Sequence, residues 1–499
     1  MNIENTAMQE ILAKLDVFFA SKKGEILADT AALVNINSVR GEALEGKPFG
    51  EGPAKALAEA EIILKKHGLT VKNYDNYFVT GDMAPENGSA DNEPALAMLA
   101  HLDVVEEGDG WTYPPYTMTL DRGTEEGIDG EIMYGRGTSD DKGPAIAALY
   151  ALKAATSIAP LKKGVRIILG SAEETGSEDI DYYNSHCKMP PMVFSPDADF
   201  PLINIEKGRY APTFYANVEP LKAEDAAEGI YLIGFKGGET ANIVPHKASC
   251  VVKGITAERL SETISKITKG TDLEAVSFEI SEGEASGTVN ILAVGKGSHA
   301  ASPAGGINAQ AALVKLLLAL PMADNDPVKK YLEALQALLP FGDSNGTAMG
   351  IKMSDELSGA LTCAFTVLSY ENNTVSGQID IRSPICGTRE NVANVVDKAL
   401  SSAGFIVNDT KMNPPHCTDE NSPFVQTLLH SFEDVTGLEG KCLAIGGGTY
   451  VHHIEGGVAF GCAMPGIDTR IHGANEFMPV NDLINSAKIF ALAILRLCC

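Results

Sequence analysis

Short apolar runs in this chain end, one after another, on a histidine or a carboxylate. Pro94 to Leu99 leads into His101-Leu102-Asp103, Val165 to Leu169 leads into Gly170-Ser171-Ala172-Glu173-Glu174, and Val193-Phe194 precedes Ser195-Pro196-Asp197. A helical pattern, Ala145 to Ala155, opens after Asp140-Asp141-Lys142-Gly143-Pro144, with the acidic residues and early proline that helix starts favour. Buried strands alternating with helices, with polar groups collected where the strands stop, predict an α/β fold. The site of such a fold lies at the carboxyl edge of an open sheet.

Length divides the molecule further. A chain of 499 residues exceeds what one core organises, so two or three domains are expected. An amphipathic helix is read from Ala7 to Leu33, and the acidic, glycine-bearing insert Arg122 to Glu131 reads as a hairpin or loop. After about Tyr210 the texture changes to alternating strands, with glycine-bearing loops at Gly237-Gly238 and Gly295-Lys296-Gly297. Residues 210–412 are therefore expected to form an inserted α+β domain. Residues 1–209 and 413–499 would make up the catalytic domain, completed by helices at Phe424 to Thr436 and Asn481 to Leu497.

Composition excludes several partners. With 44% hydrophobic and 21% charged residues the chain reads as soluble and globular, and a formal charge of -27 repels nucleic acid. The late apolar stretch Ile489 to Leu495 is far shorter than the ~20 residues a spanning helix needs, so no membrane partner is expected. The first residues carry neither a basic nor an apolar leader segment, and nine cysteines form no CxxC pair. Both features lead to the expectation of a reducing, cytoplasmic setting.

The chemistry follows from residue type. His101, Asp140, Glu174, Asp197 and His472, with Glu173 beside them, mix imidazole and carboxylate donors. That mixture suits zinc, with manganese or cobalt as substitutes, and the lack of sulfur donors argues against a structural zinc finger. His101 and Asp103 share one side of an extended segment, so the Asp103 carboxylate is expected to orient the imidazole. Adjacent carboxylates in a turn, here Glu173 and Glu174, can point differently, letting one bind metal while the other stays free as a general base. Singly these signals are weak, because a chain with 66 acidic residues places carboxylates side by side by chance. Their shared position at strand ends is what separates them from surface pairs. His67, His186, His246, His416 and His430 have no such setting, and Gly446-Gly447-Gly448-Thr449 lacks the Lys-Ser/Thr of a phosphate loop.

Longer motifs carry a resemblance through most of the chain. They are His101-Leu102-Asp103-Val104-Val105, Gly108-Asp109-Gly110-Trp111, Tyr134 to Pro144, Glu173-Glu174, Ser195 to Pro201, Glu206-Lys207-Gly208, Gly295 to Pro303 and Gly446-Gly447-Gly448-Thr449-Tyr450. Together they resemble the metal-dependent peptidases and deacylases that include carnosinase and succinyl-diaminopimelate desuccinylase, and most of all the PepV-like dinuclear zinc dipeptidases. The resemblance implies a zinc-exopeptidase-like mixed sheet flanked by helices, with 210–412 as a lid domain. It implies two zinc ions per chain, one on His101 and Asp197, the other on Glu174 and His472, with Asp140 between them. Glu173 would be the general base toward a water held by both ions, and Asp103 would support His101 from behind. His299 would stabilise the oxyanion, while Asn242, Arg382, Gly447 and Thr449 would bind substrate. In this reading Arg382 grips the free carboxylate of a small peptide through paired hydrogen bonds.

Specificity is where the pattern departs. Relatives of this type continue Gly-Gly-Thr-Tyr with Ala-Arg, whereas this chain has Val451-His452-His453, which exchanges a fixed cation for groups that titrate near neutrality. Dipeptide hydrolysis, β-alanyl dipeptides included, is the reading that results. The alternatives are an N-acyl amino acid deacylase using the same catalytic groups, or a metal-binding protein without catalysis, against which a free Glu173 argues. The long insert carries both Asn242 and His299, so a monomer is expected to hold a complete site.

Overall fold

The computed structural model describes residues 3–88, 93–122, 128, 130–220 and 228–499. They form two compact units: Met1–Ile205 with Cys417–Leu443 and Gly448–Cys499, and Glu206–His416 with Ala444–Gly447. The expected boundaries were 209/210 and 412/413. The four-residue excursion Ala444–Gly447 into the second unit had no counterpart in the sequence reading.

In the first unit the sheet runs in the order Thr70–Tyr74, Phe78–Met83, Val165–Gly170, Leu96–His101, Met192–Ser195, Val458–Ala459. Its centre is parallel: Leu96–His101 pairs in parallel with Val165–Gly170 on one side and Met192–Ser195 on the other. All six residues of Leu96–His101 are buried. A strand covered on both faces cannot alternate apolar and polar positions, which is why the run Leu96 to Ala100 is continuously apolar. Register places His101 opposite Gly170, so the peptides leaving both strands emerge at one edge. The helix Lys142–Ile158 packs against Val480–Cys498 and Ile3–Val34, and these apolar faces share one core with the sheet.

A separate three-stranded sheet, Thr119–Arg122, Glu131–Tyr134 and Phe477–Pro479, ties a late segment to an early one. Phe477 pairs with Tyr134, and Gly135 N–H donates to Glu476 O at 3.0 Å. The expected hairpin at 122–131 has its two arms here, while residues 123–127 and 129 lie outside the described residues.

The second unit is built on an antiparallel sheet: Ser277–Glu282, Thr288–Val294, Lys247–Lys253, Tyr231–Gly237, Thr362–Glu371, Thr374–Ser383, Thr213–Asn217. Burial alternates along Lys247–Lys253, as expected of a strand with one face on a core. The helix Ala309–Ala319 lies on that face, and Ala257–Thr268 contributes Leu260 and Ile264 from an amphipathic stripe. Mixed α/β architecture with helices flanking the sheets is thus the fold. No helix among the described residues is long and apolar enough to cross a membrane.

Candidate metal centre and its supports

At the carboxyl edge of the first unit's sheet, two sets of ligand atoms lie within 4.8 Å of one another: those of His101, Asp140 and Glu174, and those of His101, Glu173 and Asp197. Asp140 stands between two imidazoles. Its Oδ1 is 2.9 Å from His101 Nε2 and its Oδ2 is 3.0 Å from His472 Nε2, which also lies 3.2 Å from Glu174 Oε2. Asp197 Oδ2 approaches His101 Nε2 to 3.6 Å. Three of these groups follow three adjacent strands, Asp140 precedes the helix Lys142–Ile158, and His472 arrives from the C-terminal segment anchored by Phe477. His472 takes a left-handed backbone conformation, φ 61°, a region that costs a side-chain-bearing residue ~1–2 kcal/mol.

The charge balance tests whether these donors suit cations. His101 is fully buried, and its Nε2 makes no hydrogen bond although Asp140 and Asp197 are close. An imidazole nitrogen in that position is set up to meet a cation. Burial would disfavour the charged ring, yet Asp103, Asp140 and Asp197 hold its pKa well above the usual imidazole range. Hydrogen bonds to Asp140 and Glu174 likewise push His472 up to about 11. Desolvation, reinforced by Asp197, Glu174 and Asp140, holds Glu173 well above the carboxylate range, while burial and Asp140 push Glu174 up to about 7. Asp197 and Asp141 are raised for the same two reasons, burial and like charge. Asp140 is the exception, since against its burial His101 and His472 hold its carboxyl well below the usual range; the groups around it are shifted toward their protonated forms, as in a donor set short of positive charge. Divalent metal fits that set.

Around these groups, buried carboxylates that are not among the expected ligands fasten the backbone. Asp103 accepts from Glu173 N–H and Glu174 N–H, both at 3.1 Å. His101 Nδ1 sits 2.9 Å from the Asp103 backbone oxygen and 3.5 Å from the Asp103 carboxylate, which thus serves both the imidazole and the Glu173-Glu174 turn. Asp141 occupies the N-cap of Lys142–Ile158 without capping it, and its Oδ2 instead accepts from His101 N–H at 3.0 Å. Glu476 Oε1 accepts from the N–H groups of Gly137, Ser139 and Asp140 at 3.0, 2.9 and 3.1 Å, while Arg136 Nη1 bonds its Oε2 at 2.7 Å. Gly143 is needed in the same turn, since a Cβ there would lie 2.1 Å from Thr138 O. The sequence reading missed Glu476, Arg136 and Asp141 as supports; the repeated acidic residues around Asp140 were the available hint.

The second unit groups the remaining candidates. Ile243 pairs with His299, and Asn242 O accepts from Ala300 N–H at 2.8 Å. His299 Nδ1 accepts from Ala301 N–H at 3.2 Å, and Gly446, next to Gly447, packs so closely on Ala301 that a Cβ would come within 2.6 Å of it. Arg382 Nη1 donates to Gly446 O at 2.8 Å. The guanidinium does not stand free: Nε and Nη2 bond Asp380 at 2.6 and 3.1 Å, so only the outer Nη hydrogens are left for a ligand. Thr449, in the first unit, caps the turn Tyr450–His453 by accepting from Val451 N–H at 3.4 Å.

An open mixed sheet with an acidic, imidazole-bearing cluster at its carboxyl edge defines a metal-dependent hydrolase. The chain belongs to peptidase family M20/M25/M40, whose model matches residues 97–496. It is 34% identical over 484 residues to the putative dipeptidase YtjP of Bacillus subtilis, covering 95% of this chain and 98% of that protein. It is also 34% identical over 484 residues to the Beta-Ala-Xaa dipeptidase of Lactobacillus delbrueckii subsp. lactis, at 96% and 97% coverage. Among solved structures, human carnosine dipeptidase 1 aligns with TM-score 0.54 at 15% identity, covering 97% of this chain and 99% of that one. Aminoacylhistidine dipeptidase from Vibrio alginolyticus aligns with TM-score 0.57 at 15% identity, with 94% and 96% coverage. These structures share the fold, and the chain is a peptidase.

Proposed function

We propose that this peptidase hydrolyses dipeptides, β-alanyl dipeptides among them, with two divalent metals, zinc foremost, at the first unit's cluster. The observation that carries the reading is Asp140, whose two carboxylate oxygens each face a different imidazole, His101 and His472. His101 and Asp197 would hold one ion, Glu174 and His472 the other, with Asp140 shared. When bound, the ions acidify water and withdraw charge from the scissile carbonyl. Glu173, on the same turn as Glu174 and close to His101 and Asp197, takes the proton of the attacking water and returns it to the leaving amine. His299 donates a hydrogen bond to the developing oxyanion, and Asn242, Arg382, Gly447 and Thr449 position the substrate. With Nε and Nη2 bonded to Asp380, Arg382 offers a substrate carboxylate the outer edge of its fork.

The names of the two 34%-identical relatives support the substrate class, since both cover almost the whole chain. The test is a panel of α- and β-linked dipeptides, tripeptides and N-acyl amino acids, incubated with zinc-loaded protein while released amines are counted. Cleavage confined to dipeptides supports the reading. Preferred release of amino acids from N-acyl substrates would overturn it in favour of a deacylase.

A further inference from the structure

We propose that Tyr450 is a positioning residue: through Asp179 its phenol holds the turn that carries Glu173 and Glu174, while its ring backs His101. The inference rests on the proposed roles of those three residues, and deepens them by naming what keeps them in register.

Four successive backbone N–H groups in the turn point at two buried carboxylates. Ser171 and Ala172 donate to Asp179 Oδ2 at 2.6 and 2.9 Å, and Glu173 and Glu174 donate to Asp103. Such charge-assisted bonds are roughly twice as strong as neutral ones, so the path of this turn is set by where the two carboxylates are held. Asp103 belongs to the chain segment just after the strand Leu96–His101 and is held by that strand. Asp179 lies on the short helix Glu178–His186, and its Oδ2 receives a third bond at 2.5 Å from the Tyr450 hydroxyl. Both side chains are fully buried, which leaves no water to replace the phenol.

Close packing at the end of the strand Val165–Gly170 makes the clasp specific. A Cβ on Gly170 would lie 2.1 Å from Tyr450 Oη and 2.5 Å from Asp179 Oδ2, so glycine is required for the phenol and the carboxylate to meet against the backbone. The Tyr450 ring meets His101 edge to face, centroids 6.0 Å apart at 86°. One side chain therefore touches a candidate metal ligand directly and the candidate base through its turn. This gives a role to the tyrosine that ends the Gly-Gly-Gly-Thr-Tyr motif.

Tyr450→Phe removes the hydroxyl and keeps the ring. In the full-length, metal-loaded variant, hydrogen exchange followed by mass spectrometry should show the amides of residues 171–174 exchanging about tenfold or more faster, the weight of one lost charge-assisted bond. The strand Val165–Gly170 should be unchanged, and metal content should stay at the unaltered protein's value. Turnover should drop with KM held, because a displaced base costs rate rather than binding. Adding Tyr450→Phe to Asp179→Asn should accelerate exchange no further than Asp179→Asn alone. Unaltered exchange at 171–174, or equal acceleration across Val165–Gly170, would overturn the proposal, the latter because the tyrosine would then only fill space. If the unaltered protein cleaves no dipeptide, the proposed function fails separately, and the exchange data still decide the clasp.

Discussion

Removing Glu476 should unfold the Asp140 turn from the inside. The carboxylate is fully buried, bonds Arg136, itself 1% exposed, and is the acceptor for three backbone N–H groups leading to Asp140. Glu476→Ala leaves the guanidinium with only two long bonds, 3.3 Å each, to the carbonyls of Glu106 and Glu107, and an orphaned Nε. Breaking a buried pair from one side costs about 3–5 kcal/mol. For a unit of nearly three hundred residues this corresponds to a fall in melting temperature of roughly 5–8 °C. The assay is thermal unfolding in chelator, so that metal affinity does not enter, on Glu476→Ala, Arg136→Met and the double variant. Since each single change strands the other partner, the double variant should lose less than the sum of the singles by about 1–3 kcal/mol. A shift below ~2 °C for Glu476→Ala, or strict additivity, would refute the argument that this pair holds the turn.

Chelation should abolish hydrolysis until zinc, manganese or cobalt is restored; within the site, Glu173→Gln should keep both metals and lose most turnover, whereas Glu174→Gln should lose one ion by elemental analysis. Equal metal loss in both variants would mean that the roles of base and ligand are misassigned. Mixing inactive His299→Ala with inactive Glu173→Gln protein should recover no activity from a monomer, and recovered turnover would place His299 in a partner's site. Acid stability offers a test that does not involve the proposed metal ligands. Burial raises the Asp29 carboxyl, but hydrogen bonds from Lys66, His67 and Tyr150 outweigh it and hold its pKa below the usual value. A depressed folded pKa contributes stability that is present above the unfolded value of ~3.9 and is lost as pH falls through the folded one. Between pH 5 and the acid limb, melting temperature should therefore fall more steeply for the unaltered protein than for Asp29→Asn; parallel curves would show that the cluster is not linked to folding.

What was legible in the residues was everything with a local pattern. A fully buried parallel strand must be continuously apolar, so Leu96 to Ala100 and Val165 to Leu169 declared themselves, and the polar groups that follow them had to emerge at one sheet edge. The helix starting near Asp140 was visible for similar reasons, although Asp141 serves His101 N–H rather than the helix end. Tertiary structure alone decided the supports. Arg136 and Glu476 are 340 positions apart and Asp179 and Tyr450 are 271 apart, distances over which no periodicity reaches. Their carboxylates also bind backbone N–H groups, which every residue but proline supplies, so no matching side chain marks the partner in the sequence. The same holds for His472, which is brought to Asp140 by the pairing of Phe477 with Tyr134, and for Arg382, whose fork is turned aside by Asp380. Residue types specify which atoms can hold a metal or move a proton; the direction in which each one points is a property of the packed chain.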